Sequence, residues 1–174
     1  MHLSSLPLRV LVASAAIHCI CSASVVVAQE RVSTEQARVQ KTVDVLAARL
    51  GIAEAVHVSL VPANRLLMSV EQTEHTFELK VEEGWADTLD DAELDAAVAH
   101  ELGHVWVFTH HPFLQTEQLA NEVAMRIVSA KQLAQLYDKV WKRTNVKGDL
   151  ARFLGPEVAR GLASPDAQPG PSPD

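Results

Sequence analysis

Hydrophobic positions along this chain follow two different periods. Over 33–50 they recur every three or four residues, which predicts a helix that Ser33 or Thr34 can cap and that Gly51 ends. The pattern then changes to short stretches that are either apolar or alternate between apolar and polar residues. These stretches predict the strands of a small three-stranded sheet: 55–61, 66–70 and 76–81.

A helical period returns in the second half of the chain. It predicts a helix over 91–109, which Asp90 or Asp91 can cap and which must end before Pro112. A further helix is predicted over 115–137, with a break and a continuation toward 153. The order helix, small sheet, helix and helix predicts an α+β domain.

The two ends of the chain differ in composition from its body. Residues 1–9 carry one basic side chain and no acidic one, 10–27 are almost entirely apolar or small, and small residues precede Gln29. This pattern predicts a signal peptide over 1–28 and a secreted or periplasmic protein, with an N-terminal membrane anchor as the alternative. The proline-rich end predicts a disordered tail over 161–174, which leaves one folded domain over 29–160.

Composition narrows the classes of partner. The chain has 174 residues, 48% of them hydrophobic, and a formal net charge of −7. This negative charge argues against binding to nucleic acid, or to an anionic membrane surface beyond the N-terminal segment. Both cysteines, Cys19 and Cys21, lie in the predicted signal segment. A processed chain would therefore have no thiolate for catalysis or for holding a metal.

The predicted helix over 91–109 carries the sequence His-Glu-Leu-Gly-His at 100–104. Residues four apart on a helix share a face, so His100 and His104 can bind one zinc ion. Glu101 lies beside the first histidine and can take a proton from the metal-activated water that attacks a peptide carbonyl. The carboxylate can then pass that proton to the leaving amine. The pattern predicts zinc-dependent hydrolysis.

Zinc held by two histidines needs a third protein ligand, for which the sequence offers three candidates. Glu117 is favoured because it starts the next apolar helical face, on which Asn121, one turn later, can hydrogen-bond a ligand histidine. His110 has the spacing of a third histidine ligand, but Val107 stands where a turn would need glycine. Glu122 is a weaker candidate because it lies on another side of its helix.

These stretches resemble the gluzincin metallopeptidases. The segment 89–105 is similar to the active-site helix of the CAAX-prenyl-protease and heat-shock-protease group, and 117–121 is similar to the downstream E-x-x-A-[DN] motif. The chain length is similar to that of the minigluzincins, which implies a single zincin-like metallopeptidase domain over 29–160. The resemblance further implies that the zinc ligands are His100, His104 and Glu117. It also implies that Glu101 is the general base and acid and that Asn121 orients a ligand.

The sequence thus predicts a zinc-dependent endopeptidase acting on a peptide or protein substrate. An edge strand beside the cleft, for which 76–81 is one candidate, would pair with the extended substrate. No certain residue for stabilising an oxyanion is present: His110 and His111 read as a solvated loop, and Tyr137 as a packed ring. This gap motivates the alternative of a catalytically weak or inactive zinc-binding module.

Overall fold

We describe the protein from a computed structural model over residues 12–74 and 76–163, with side chains from residue 29 onward. The chain divides into two compact units, of which the first ends at Thr34 and the second begins at Glu35. The side chains of the predicted signal segment, and residues 164–174 of the predicted tail, lie outside the described residues. Within the described part, no helix is both long enough and apolar enough to cross a membrane.

Helix α1 (Val12–Leu50) begins well before the start predicted at Ser33 or Thr34. The Thr34 hydroxyl donates to the carbonyl of Glu30 at 2.9 Å, a bond that serine and threonine make inside a helix, so the predicted cap is wrong. The predicted end is right. The N–H groups of Gly51 and Ile52 bond back to the last turn, and Gly51 has φ +69°, which glycine adopts without steric cost.

Three strands follow: β1 (Val56–Val61), β2 (Met68–Thr73) and β3 (Thr76–Glu82). The sheet has the order β1-β3-β2, with β1 parallel and β2 antiparallel to β3. The stretch 76–81, considered above as a candidate edge, is therefore part of the central strand. Its alternate side chains Phe77, Leu79 and Val81 are buried, as the sequence pattern predicted.

The two edges of this sheet are different. Along β1, side-chain amides of α1 take the place of a neighbouring strand. Gln36 donates to the carbonyl of Val58 at 2.7 Å, while Gln40 donates to Val56 at 3.0 Å and accepts from the N–H of Val58 at 2.8 Å. Strand β2 pairs with β3 alone among the described strands, although the N–H of Val70 donates to the Glu101 carboxylate, and we call β2 the open edge of the sheet.

The second half of the chain is helical. A short 3-10 helix (Ala86–Thr88) precedes α2 (Asp91–His110), α3 (Glu117–Ala124), α4 (Ala130–Thr144), α5 (Leu150–Leu154) and α6 (Pro156–Ala163). The helix predicted over 115–137 is thus two helices. Ser129 caps α4 by a reciprocal bond with Gln132, and this local hydrogen bonding competes with helix continuation. The α+β class with a small three-stranded sheet is confirmed.

Candidate metal centre

Helix α2 carries the two histidines through the interior of the domain. Asp90 and Glu93 fix its start, because each side chain accepts a hydrogen bond from the backbone N–H of the other residue. Asp90 is one of the two caps that the sequence predicted. The imidazole rings of His100 and His104 lie one helical turn apart on one face, with centroids separated by 4.8 Å. Apolar side chains of α2 surround them and are fully buried, including Val98, Leu102 and Val105.

Helix α3 approaches this histidine pair very closely. A Cβ atom added to Gly103 of α2 would lie 2.2 Å from the carbonyl oxygen of Ala120, so only glycine fits at this crossing. Ala120 is itself completely buried. Thr116 caps the start of α3 by accepting from the N–H of Leu119, which places Glu117 on the first turn of α3, against the histidines.

Three side chains converge at this point. Nε2 of His100 is 3.3 Å from one carboxylate oxygen of Glu117, and Nε2 of His104 is 3.7 Å from the other. Within the described residues these three form a group whose ligand atoms all lie within 4.8 Å of one another, and the group could hold a metal ion. Hydrogen bonds with the two imidazoles lower the pKa of Glu117 far below its ordinary value, so this carboxylate is ionised.

Behind His100 lies a completely buried amide, Asn121. His100 donates from Nδ1 to Oδ1 of Asn121 at 2.9 Å, so Nε2 is the ring nitrogen that faces Glu117 and that the neutral imidazole would offer to a metal. Burial by itself lowers the pKa of His100, but the hydrogen bond with Glu117 and the nearby Glu101 carboxylate raise it above its ordinary value. Asn121 therefore lies against His100 on the side away from Glu117, and its role in orienting a ligand histidine stays a prediction.

Asn121 is in turn held by α4 and α5. Its Nδ2 donates to the hydroxyl of Tyr137 at 2.7 Å and to the carbonyl of Phe153 at 2.9 Å. The Tyr137 ring is buried, as predicted, and burial raises the pKa of its hydroxyl, which stays protonated. The sequence interpretation missed that this hydroxyl supports the site. Helical spacing marks Tyr137 as inward-facing, but no local signal shows which residue it meets.

Glu101 faces the sheet. It is buried, and its carboxylate accepts a hydrogen bond from the backbone N–H of Val70, in the middle of β2. Burial raises the pKa of Glu101 above its ordinary value, while the adjacent His100 and His104 act in the opposite direction. The carboxylate thus lies between the histidine pair and the open edge of the sheet. The contact with Val70 was not foreseen from the sequence.

The two other candidate ligands lie elsewhere. Helix α2 continues to His110, whose ring stacks on Trp106 at 4.0 Å and whose Nδ1 lies 2.9 Å from the Trp106 carbonyl oxygen. Val107 is buried inside the continuing helix, and the turn that would bring His110 back does not form. Glu122 is exposed and accepts from Gln118 at 2.9 Å. Neither side chain belongs to the converging group.

The converging group opens into a cleft of about 570 Å³. One side of the cleft is the edge of β2, and the other is formed by α2 and the start of α3. Beyond Tyr137 the cleft continues along α4 into a region that we call the apolar arm, lined by Trp85, Leu136, Val140, Trp141 and Val146. The ring of Trp141 packs closely on Gly148 there, since a Cβ added to Gly148 would lie 1.8 Å from the ring.

Comparison with known proteins gives one partial likeness. The chain is similar to the crystal structure of the metallopeptidase zymogen of Pyrococcus abyssi abylysin, with 14% sequence identity and a TM-score of 0.49. The match covers 64% of this chain and 99% of that one. No family model matches the chain, and no curated protein matches it. The side-chain geometry is therefore the basis for assigning a function.

Proposed function

We propose that this protein is a zinc-dependent endopeptidase. The observation that carries the proposal is the convergence of His100, His104 and Glu117 on one point, beside a buried glutamate and an open strand edge. Metal ligands alone occur in many proteins. A potential proton acceptor next to them, in a cleft where an extended backbone can pair, is what hydrolysis of a peptide bond requires.

The donor set suits zinc. Two imidazole nitrogens and one carboxylate are the ligands of a catalytic zinc site that keeps one position open. Asn121 holds His100 in the tautomer that frees Nε2 for a metal, and the Glu117 carboxylate is ionised. The same donors also suit iron(II), so the identity of the metal is part of the proposal and is open to direct measurement.

When bound, zinc would supply acidity to a coordinated water and would polarise the carbonyl of the scissile bond. Glu101 is placed to take the proton from the attacking water and to deliver it to the leaving amine. The Val70 N–H bond and the surrounding burial restrict this carboxylate to one position. The side chain therefore acts without reorganising.

The cleft defines the class of substrate. The edge of β2 offers backbone groups to an extended peptide of any sequence, in the manner of an added strand. The apolar arm, with the Trp141 ring in its wall, would fit one large aliphatic or aromatic side chain of that peptide. The proposed substrate is thus an unstructured protein segment that carries a large apolar residue close to the cleavage point.

The alternative, a metal-binding module with weak or no catalysis, has one observation in its favour. The hydroxyl of Tyr137 is engaged by Asn121 behind His100, and His110 stacks on Trp106. The Tyr137 hydroxyl is thus already hydrogen-bonded, and His110 is not among the residues that line the cleft. A metal-loaded protein that binds peptides but cleaves none would favour this alternative.

The experiment that separates these functions uses Glu101→Gln. Purified wild-type protein should contain about one zinc per chain by elemental analysis. The variant should keep that metal and lose hydrolysis of a mixed peptide library on the order of 10²- to 10⁴-fold. Glu122→Gln is the matched control, because Glu122 is an exposed glutamate on α3 that should leave both properties unchanged. Equal cleavage by Glu101→Gln and wild type would exclude Glu101 as the base.

We also propose that the enzyme acts outside the cytoplasm, in secreted or periplasmic form. The support is the pattern of residues 1–28, with small residues before Gln29. N-terminal sequencing of the protein recovered from its native compartment should give a chain that starts at Gln29. A chain that keeps residues 1–28 in a membrane fraction would favour the anchored alternative.

A further inference from the structure

The turn between β1 and β2, residues 62–67, is held in place by one asparagine. The side chain of Asn64 donates to the Ser69 hydroxyl and to the Lys80 carbonyl, each at 3.0 Å. Its Oδ1 accepts from the N–H of Leu66 at 3.0 Å. The Asn64 N–H in turn donates to the Glu82 carboxylate at 3.1 Å. These four hydrogen bonds restrain the backbone of the turn.

The turn also contains an unfavourable backbone conformation. Leu67 has φ +67°, a left-handed conformation that costs a residue with a Cβ on the order of 1–2 kcal/mol. Burial of the Leu67 side chain and a hydrogen bond from its N–H to the Asn64 carbonyl hold it there. The two residues that precede Leu67 are accessible to solvent. Leu66 is 68% exposed and Arg65 is exposed, and both line the cleft.

Arg65 differs in charge from the other described residues of the cleft. Among the described residues that line the cleft, it is the single lysine or arginine, whereas Glu101 and Glu117 are acidic. Within the described part of the chain its guanidinium has neither a hydrogen bond nor an ion pair. An unpaired cation on a turn restrained by hydrogen bonds, at a cleft in a protein of net charge −7, is suited to an anionic group brought by a ligand.

We infer that Arg65 binds a carboxylate of the peptide that lies along β2, while Leu66 packs on the neighbouring substrate residue. The inference rests on the proposed function for the position of the peptide. Two sources supply the same chemistry: the side chain of an aspartate or glutamate, and the C-terminal carboxylate of the peptide. In either case the cleft prefers a peptide with a negative charge at the Arg65 end over its neutral counterpart.

The exposure of Arg65 sets the expected gain in peptide affinity. An ion pair between exposed groups is modest, and we expect the carboxylate to strengthen peptide binding by about two- to fivefold at low ionic strength. Salt screens such a pair, so the preference should decline as the ionic strength is raised above about 0.1 M. The apolar arm is uncharged, so its contribution to peptide affinity should not decline in this way as the ionic strength is raised.

The test measures binding and cleavage separately. Four fluorescent peptides share one apolar residue and differ in charge: glutamate or glutamine in the sequence, each with a free or an amidated C-terminus. Their dissociation constants are measured by anisotropy on the zinc-loaded Glu101→Gln protein, which holds peptides without cleaving them. The same four are then offered to the wild-type enzyme. Arg65→Ala and Arg65→Lys are compared with Arg160→Ala, an exposed arginine of α6 that is not among the cleft-lining residues.

We expect a carboxylate preference that is lost in Arg65→Ala, kept in part in Arg65→Lys and unchanged in Arg160→Ala. Loss on amidation alone identifies the C-terminus as the source, and loss on replacing glutamate alone identifies the side chain. The inference is overturned if no peptide binds, if charge makes no difference, or if the preference survives Arg65→Ala. Failure of the proposed function has another signature: wild type cleaves none of the peptides while the Arg65-dependent binding preference persists.

Discussion

The two walls of the cleft are built in different ways. The helical wall, formed by α2 and α3, presents side chains whose polar atoms are engaged in a buried network that runs from His100 through Asn121 to Tyr137. The strand wall, formed by the edge of β2 and the turn 62–67, presents backbone groups and the exposed Arg65 and Leu66. The first arrangement fixes a few atoms in position, as the proposed hydrolysis would require, and the second would suit peptides of many sequences.

This difference sets the size of mutational effects. Removing one member of a buried network leaves its partners without hydrogen bonds, which is costly in a low-dielectric interior. Removing one contact from an open edge lets water take its place. We therefore expect changes in the helical wall to act on metal binding and on the free energy of unfolding. Changes in the strand wall should act by small factors on peptide affinity.

The largest effect on metal affinity should come from Glu117→Ala. Four ligands of a structural zinc site together contribute about 10–16 kcal/mol, so loss of one ligand should cost roughly 3 kcal/mol. That corresponds to a decrease in zinc affinity on the order of 10²-fold, measured by competition with a chelator of known affinity. The control is Glu122→Ala on the exposed side of α3. Unchanged affinity in Glu117→Ala would exclude Glu117 as a ligand.

Asn121→Ala should follow, because it frees the Nδ1 side of His100 and also leaves the Phe153 carbonyl unpaired. Loss of a residue that orients a histidine ligand costs about 10- to 100-fold in metal affinity. Tyr137→Phe removes one hydrogen bond but keeps Asn121, and should cost only about two- to tenfold. The same chelator titration ranks the two variants. A larger loss in Tyr137→Phe than in Asn121→Ala would contradict the network described here.

Gly103→Ala tests the close approach of the two helices. The added methyl group meets the Ala120 carbonyl, which is backbone and cannot rotate away, so α3 must shift. We expect a loss of about 1–3 kcal/mol in the free energy of unfolding, measured by urea denaturation. Gly161→Ala in α6 is the matched control, since no atom lies within 4 Å of its added Cβ. That variant should be neutral or more stable, by up to about 1 kcal/mol.

The smallest effect belongs to the strand wall and is best measured by changing the substrate. A peptide N-methylated at one position loses one backbone donor, which should weaken its binding by about two- to tenfold where that N–H faces β2. Successive strand residues point in opposite directions, so the effect should alternate along the peptide. Affinities that are equal at every position would argue against pairing with β2.

The short-range features of this protein follow from local sequence. Asp90 and Glu93 mark the start of α2, and Gly51 marks the end of α1, because capping depends on residues within one turn. The four-residue spacing places His100 and His104 on one face for the same reason. The helical face that begins at Glu117, and Val107 in place of a turn glycine, favoured Glu117 over His110, and the structure brings Glu117, not His110, to the histidine pair. The role of His100, His104 and Glu117 as zinc ligands stays a prediction.

Contacts between distant segments were decided by tertiary structure alone. Periodicity predicted the strands but not their order, so it left open that β3 is central and β2 is the free edge. It could not show that the Val70 N–H reaches Glu101, or that Tyr137 holds Asn121. Each of these contacts depends on how elements far apart in the chain pack together. A local pattern of apolar and polar residues records which face is buried, but not which residue will lie against it.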